Sequence, residues 1–373
     1  MTFNPVAIIR PNIIDLKPYT PILPFDVLSQ QLGRRPEDII KLDANENPYG
    51  PSPLVAQALA ASPYMHIYPD PESRHLRESL AAYTGLEPEH LVVGHGADEL
   101  IDLVMRLFIE PGDAIVNCPP AFGMYPFDAD INAAQVISIW RKPDFSINIE
   151  EVEALFEPRL TPTLKGGAAV TIKIIIVTSP NNPDGSVLKD EELERLLALP
   201  AMVMLDEAYV EFSGGSRIEW VKKYPNLIVL RTFSKWAGLA GLRVGYGAFP
   251  LEIIEHLWKI KQPYNVNLAG QIAARASMDD RERLLENVAK IIEQRDKFFH
   301  ILAGFDWLEP YPSQTNFILC RVKGRSAVDV KTKLAAQGIL VRYYNSPGLA
   351  DHIRISIGTP DQMNRLEEYL NTL

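Results

Sequence analysis

Hydrophobic positions gather first into short unbroken runs and then into spaced ones. Leu91-Val-Val-Gly94, Ala114-Ile-Val-Asn117, Ala134 to Trp140, Lys173-Ile-Ile-Ile-Val-Thr178, Met202-Val-Met-Leu205, Leu227-Ile-Val-Leu230 and Arg243 to Phe249 each read as a strand. Short apolar runs without alternation suit strands covered on both faces. The segments between them carry helical spacing, as at Leu100, Leu103, Val104, Leu107 and Phe108. Strand and helix in alternation predict an α/β fold with a mostly parallel sheet between helices.

The last third differs. Glu282 to Gly304 has the pattern of a long amphipathic helix. Asn316-Phe-Ile-Leu-Cys-Arg321, Ile339 to Tyr343 and Ile353 to Ile357 read as strands, and Ala327 to Gln337 as a helix stopped by Gly338. Thr359-Pro-Asp-Gln362 has the capping-box pattern with proline at the first helical position, and opens a final helix. This mixture predicts a smaller α+β unit over 256–373, beside a large unit over 41–255. Residues 1–40 hold six prolines (5, 11, 18, 21, 24 and 36), which excludes a long helix or a central strand. They read as an extended arm joining the smaller unit.

The polar residues that interrupt the large unit fall at the carboxyl ends of its strands, where parallel sheets bind ligands. They are Asn181 and Asn182, Asp206 and Tyr209, and Ser234 and Lys235. Each alone has an ordinary structural explanation: a turn, a helix cap, a surface amine. Together they form a constellation. Lys235 stands in the tight, mostly apolar Arg231-Thr-Phe-Ser-Lys-Trp-Ala-Gly-Leu-Ala-Gly-Leu-Arg243, a setting that lowers an amine's pKa. Gly94-His-Gly-Ala-Asp98 joins a strand to a helix and offers free backbone amides to an anion. Glu99 at the third glycine position, with an acidic helix start, argues against a dinucleotide fingerprint there.

A lysine at one strand end and an aspartate at another suit pyridoxal phosphate. The lysine takes the aldehyde and the aspartate keeps the ring nitrogen protonated. Asn182 and Tyr209 can bond the ring oxygen, and Phe122 or Tyr125 can stack on the ring. Ser234, Arg243 and the helix start at Gly96, Ala97 and Asp98 can share the phosphate.

Composition narrows the partners. Net charge is −10, from 47 acidic against 37 basic residues, which argues against nucleic acid or an anionic membrane. Anionic substrates must then be held by a few local arginines. Cys118 and Cys320 match no metal or redox spacing, so no metal is expected. No secretory signal or membrane span is read, and the expectation is a soluble, cytoplasmic protein.

Several stretches together carry a resemblance. Asn181-Asn-Pro-Asp-Gly185, Asp206-Glu-Ala-Tyr209 and Ser234-Lys235 with Arg243 resemble the fold type I pyridoxal-phosphate aminotransferases. Leu42-Asp-Ala-Asn-Glu-Asn-Pro48, Tyr68-Pro-Asp-Pro71, Gly94 to Ile101, Asp206 to Phe212 and Arg231-Thr-Phe-Ser-Lys235 are similar, in order, to the motifs of the histidinol-phosphate aminotransferase family. The resemblance runs from about Tyr19 to Gly358. It implies a large domain with a seven-stranded sheet, a smaller α+β domain and ping-pong transamination between L-histidinol phosphate and 2-oxoglutarate. By the resemblance, Lys235 carries the cofactor and moves the proton, Asp206 holds the pyridine nitrogen, Asn182 and Tyr209 hold the ring oxygen, and Phe122 stacks. Tyr19, Arg342 and Arg354 match positions around the substrate's anionic group. Tyr68 is implied to reach the phosphate in the other subunit of a homodimer. Asp184, His95, Ala97 and Phe122 depart from the family's usual residues. An aromatic amino acid aminotransferase, or a lyase such as a threonine-phosphate decarboxylase, stands as the alternative on this scaffold. A cofactor-binding transcription regulator would need a DNA-binding extension that the non-basic first 40 residues do not supply.

Overall fold

The computed structural model describes residues 3–19, 23–157 and 170–373. Among the described residues twelve strands form two sheets. In chain order they are β1 (Ile40–Leu42), β2 (Leu91–Gly94), β3 (Ala114–Asn117), β4 (Gln135–Ser138), β5 (Ile172–Thr178), β6 (Met202–Asp206), β7 (Leu227–Thr232), β8 (Gly245–Ala248), β9 (Leu308–Pro310), β10 (Phe317–Val322), β11 (Ile339–Tyr343) and β12 (His352–Ser356).

Seven of them run in the order β2-β8-β7-β6-β5-β3-β4. β4, β3, β5, β6 and β7 are parallel to one another, and β8 alone runs against both of its neighbours. All seven strands expected from the apolar runs are present in this sheet. The runs are unbroken because both faces are covered. Ile175, Val177, Val203, Leu205, Leu227 and Val229 enter one apolar core. Their alternating neighbours Ile174, Ile176, Met204, Ile228 and Leu230 enter another, shared with the helix Gly96–Phe108. Successive side chains on a strand point to opposite faces, so each run feeds two cores.

The second sheet has the order β1-β11-β12-β10-β9. Only β1 against β11 is parallel. β1 straddles the position expected to divide arm from large unit, and it pairs with Ile339, Leu340 and Val341. No strand is expected there from the sequence, since so short a strand shows no period. Helix Arg281–Ala303 matches the long helix expected, and Pro360–Leu370 opens at the Thr359–Gln362 capping box. The described residues of the arm are less extended than expected. Short helices occupy Pro11–Ile14 and Phe25–Leu32, the latter started by Pro24 and stopped by Gly33 at φ 60°.

Candidate active site

The parallel strands deliver their carboxyl ends to one edge. Register places Thr178 beside Asp206 and Asp206 beside Leu230, so residues distant in sequence end level with one another. Beyond β7 the chain turns through Ser234 and Lys235, and beyond β2 it enters the helix at Gly96. A cavity of about 580 Å³ opens over this edge. Ala97, Asp98, Phe122, Asn182, Asp206, Tyr209, Ser234, Lys235 and Arg243 line it from the large sheet's side. Arg342 and Arg354 line it from the smaller sheet, and Tyr19 from the arm.

Lys235 is partly buried at the cavity wall. Burial, followed by the positive Arg354 guanidinium, lowers its amine to about 8. Its amine donates a hydrogen bond to the Ala44 carbonyl at 3.3 Å, and it stands 5.7 Å from the Tyr209 ring centre. Asp206 is 4% exposed, and burial raises its carboxyl to about 6 against the bonds it accepts. Those bonds come from the Tyr125 hydroxyl to Oδ2 at 2.6 Å and from the Ala208 amide to Oδ1 at 2.9 Å.

The ring-oxygen candidates are fixed from the opposite side. Asn45 donates to the Tyr209 hydroxyl at 2.9 Å, and Ser356 donates to Asn45 Oδ1 at 2.9 Å. Asn182 Oδ1 accepts from Arg354 at 2.6 Å, and Arg354 also donates to the Asp43 carbonyl at 2.8 Å. Arg354 is 5% exposed and its Nε has no hydrogen-bond partner among the described residues. A buried guanidinium with a spare donor beside a cavity suits a carboxylate or phosphate. Arg342 stands 5.7 Å from the Tyr344 ring centre, at the same end.

The anion end of the cavity lies at the start of helix Gly96–Phe108, whose first amides have no partner within the helix. Arg243 donates to Ser234 Oγ at 3.3 Å and to Asp98 at 2.8 Å. Gly96 does not line the cavity itself. It lets Arg243 approach: a Cβ there would sit 2.5 Å from Nη2 of the guanidinium, and its φ of 76° disfavours other residues. Four basic side chains (Lys235, Arg243, Arg342, Arg354) face three acidic ones (Glu46, Asp98, Asp206) around a cavity in a chain of net charge −10. The local excess is the one that anionic substrates require.

Several expectations change. Tyr125 does not stack over the cavity: its ring is fully buried and its hydroxyl is spent on Asp206 and Thr178. Phe122, edge-on to it at 5.6 Å, keeps the cavity position. Asn181 turns away, donating to the Pro120 carbonyl at 3.0 Å and to Asp184. Asp184 is itself 1% exposed, and its other oxygen accepts from the Ser186 amide at 2.8 Å. Its departure from the family's usual residue is therefore a matter of the turn, with no direct contact with the cavity. Tyr68 lies outside the cavity of its own chain, 79% exposed and stacked on Tyr264 at 4.7 Å.

Other residues were not singled out from sequence. Trp140 lines the cavity at 48% exposure, at the end of a strand whose period marks it only as apolar. Arg231 and Glu207, each inside a quoted motif, form a buried ion pair at 3.0 Å that ties β7 to the turn after β6. The neighbourhood of Asp206 and Lys235 was the available signal for that pair. Among the described residues no group of acidic, histidine or cysteine side chains could hold a metal ion. No described helix is long and apolar enough to cross a membrane.

The residues fit pyridoxal phosphate. A partly buried amine, a carboxylate with a free acceptor position, and an arginine, serine and helix start for a phosphate surround one cavity of suitable size. Comparison with known proteins agrees. The model of the family "Aminotransferase class I and II" matches residues 37–370. The chain is 54% identical over 367 residues to the chloroplastic histidinol-phosphate aminotransferase of Nicotiana plumbaginifolia, spanning 98% of this chain and 86% of that one. It is 47% identical over 372 residues to the histidinol-phosphate aminotransferase of Roseiflexus castenholzii, spanning 98% and 97%. The crystal structure of histidinol-phosphate aminotransferase from Sinorhizobium meliloti, in complex with pyridoxal-5'-phosphate, superposes with a TM-score of 0.84 at 28% identity, covering 96% of this chain and 95% of that one. A lysine, an aspartate and two arginines gathered over the edge of a parallel sheet, with identity of this extent, leave one placement: the chain belongs to the class I and II aminotransferases, in the histidinol-phosphate aminotransferase family.

Proposed function

We propose that this enzyme transfers the amino group of L-histidinol phosphate to 2-oxoglutarate, giving imidazole acetol phosphate and L-glutamate, in the making of L-histidine. The observation that carries the reading is the convergence of Lys235, Asp206 and Arg354, from three separate elements, on one cavity. Both substrates are anions, and the guanidinium groups of Arg354 and Arg342 can bind either in turn.

Pyridoxal phosphate, when bound, would supply the aldehyde and the electron sink. The chain's own groups do the rest. Lys235, lowered to about 8, offers an amine that loses its proton near neutral pH. Such an amine can hold the cofactor and then move a proton at the substrate α-carbon. Asp206 would hold the ring nitrogen through the acceptor positions that Tyr125 and Ala208 leave free. Tyr209, anchored by Asn45, and Asn182, anchored by Arg354, would hold the ring oxygen. Phe122 would cover the ring, and Ser234, Arg243 and the amides of Ala97 and Asp98 would take the phosphate. Tyr19 and the two C-terminal arginines would close on the substrate's anionic end.

The working molecule on this reading is a homodimer. Tyr64, Met65, Ile67, Tyr68 and Tyr264 are 61%, 50%, 52%, 79% and 43% exposed. Large apolar side chains on one stretch, with a stacked partner, suit a surface that another subunit covers. Tyr68 would then reach the partner's phosphate. We read residues 41–255 as the unit that holds the cofactor, and the arm with 256–373 as the unit that closes on it.

The test is a half-reaction followed by absorbance. L-histidinol phosphate added without a keto acid should remove the cofactor's visible band, and 2-oxoglutarate should restore it. A response to phenylalanine or tyrosine alone would replace the substrate by an aromatic amino acid. Carbon dioxide release without need of a keto acid would make the enzyme a lyase.

A further inference from the structure

We propose that Tyr125 is a positioning residue for Asp206, holding its carboxylate in one orientation and in its charged form through a hydroxyl chain that begins at Thr178. The proposal rests on the proposed function, in which Asp206 holds the cofactor's ring nitrogen.

The proton count along the chain is determined. Tyr125 has one hydroxyl proton, and its oxygen lies 2.6 Å from Asp206 Oδ2 and 2.8 Å from Thr178 Oγ1. An ionised carboxylate only accepts, so the proton goes to Asp206. The Thr178 hydroxyl is then left to donate to the tyrosine oxygen. The order is Thr178 to Tyr125 to Asp206, with each donor strengthening the next. Asp206 Oδ1 accepts from the Ala208 amide, so both oxygens are pinned and each keeps a free acceptor position.

The carboxylate needs such support. Asp206 is enclosed, and the nearby acids Asp98 and Glu207 push in the same direction as burial, toward the neutral acid. The Tyr125 hydroxyl and the Ala208 amide act against them. A protonated Asp206 could no longer hold a pyridinium as its counter-ion. The tyrosine is also secured: its ring is completely buried in helix Met124–Ile131 and packs edge-on against Phe122. The same turn thus presents one aromatic to the cavity and spends the next on the carboxylate.

Tyr125→Phe removes one oxygen and keeps the ring. The cofactor-free forms of the wild type, Tyr125→Phe, Asp206→Asn and the double variant would be titrated with pyridoxal phosphate across roughly pH 6 to 9, following cofactor fluorescence. Tyr125→Phe is expected to weaken cofactor binding about tenfold at neutral pH, the usual effect of losing a hydrogen bond to a charged group. Both enzymes should lose affinity below about pH 8 as Lys235 gains a proton; the further loss as Asp206 gains one should set in at higher pH in Tyr125→Phe than in the wild type, since the carboxylate has lost a donor. kcat should fall while KM for the amino donor holds. In the Asp206→Asn background the same substitution should have no further effect, which a purely structural tyrosine would not show.

Wild-type affinity and pH profile in Tyr125→Phe, with Asp206→Asn impaired, would overturn the proposal and leave the role of Asp206 standing. Additive losses in the double variant would do the same. An unimpaired Asp206→Asn would remove the underlying reading as well. If Tyr125→Phe does not fold, Thr178→Val replaces it, with a shift of about threefold expected in the same direction and absent beside Asp206→Asn; an unshifted or additive result there also overturns the proposal.

Discussion

At the floor of the cavity Asp206 and Tyr125 are 4% and 0% exposed, whereas at its mouth Trp140 and Tyr19 are 48% and 43% exposed. The floor is built around the ends of adjacent parallel strands, and Asp206 is held there by bonds of 2.6 and 2.9 Å from Tyr125 and Ala208. The mouth is assembled from Tyr19 of the arm, Trp140 just beyond β4 and the Arg342–Leu349 stretch, three segments far apart in the chain. The difference teaches where each kind of selectivity can reside. Chemistry that needs an amine and a carboxylate in fixed relation belongs on the floor. Choice among substrates belongs at the mouth, where side chains can adjust. Arg354 joins the two regions: it is buried like the floor, yet it lies on the smaller sheet and keeps a spare donor.

The sharpest test of the floor is Lys235→Ala. Turnover should fall at least a hundredfold and up to about ten-thousandfold, as loss of a positioned proton-transfer group does, before counting the lost attachment point. Steady-state assays and the half-reaction would measure it. Near-normal turnover would take Lys235 out of the chemistry.

Next in size is a pH effect at the same residue. Lys235 has its pKa lowered to about 8, so its amine is neutral above that pH and charged below it. Only the neutral amine attacks an aldehyde. Capture of pyridoxal phosphate by the cofactor-free enzyme should therefore slow about tenfold per unit as pH falls below about 8, and level off above it. Stopped-flow absorbance would show the break. A break near the ordinary lysine value would mean that burial is not tuning this amine.

Arg354→Ala tests the residue that spans the two regions. The KM for 2-oxoglutarate should rise roughly ten- to a hundredfold, because a charge-assisted fork is lost. Cofactor affinity should change far less, by whatever Asn182 loses when its 2.6 Å partner goes. Equal losses in both would assign Arg354 to holding the site together and leave anion binding to Arg342.

The mouth should give the smallest effect. Trp140→Ala is expected to change the relative KM of the two substrates by about threefold, with kcat held, since a half-exposed wall contributes little beyond its apolar contact. A drop in kcat equal to that of a floor variant would erase the distinction between the regions.

Much of the floor is legible in the sequence. Apolar runs located all seven strands of the large sheet, and the polar residues just beyond them named Asp206, Tyr209, Ser234 and Lys235. Those positions are legible because a buried parallel strand must be apolar throughout, while the residues just past its carboxyl end are free to be polar. Less visible was the task of each polar residue. Asn181 and Asn182 are adjacent and chemically the same, yet one closes a turn with Asp184 and the other meets Arg354 across the cavity. Tyr125 is, from sequence, only one of two rings that could stack, because its spacing does not say where its hydroxyl points. β1 was missed because three residues carry no measurable period.

By itself the sequence determined the α/β alternation, the class of chemistry and most of the residues over the sheet edge, because burial on both faces and the demands of an imine-forming lysine leave few residue types open. The tertiary structure alone decided the partners: Tyr125 on Asp206, Asn45 on Tyr209, Arg354 on Asn182. Each pair joins positions at least eighty apart in the chain. Hydrogen bonds act over about three ångströms in space, a distance that position along the chain does not encode.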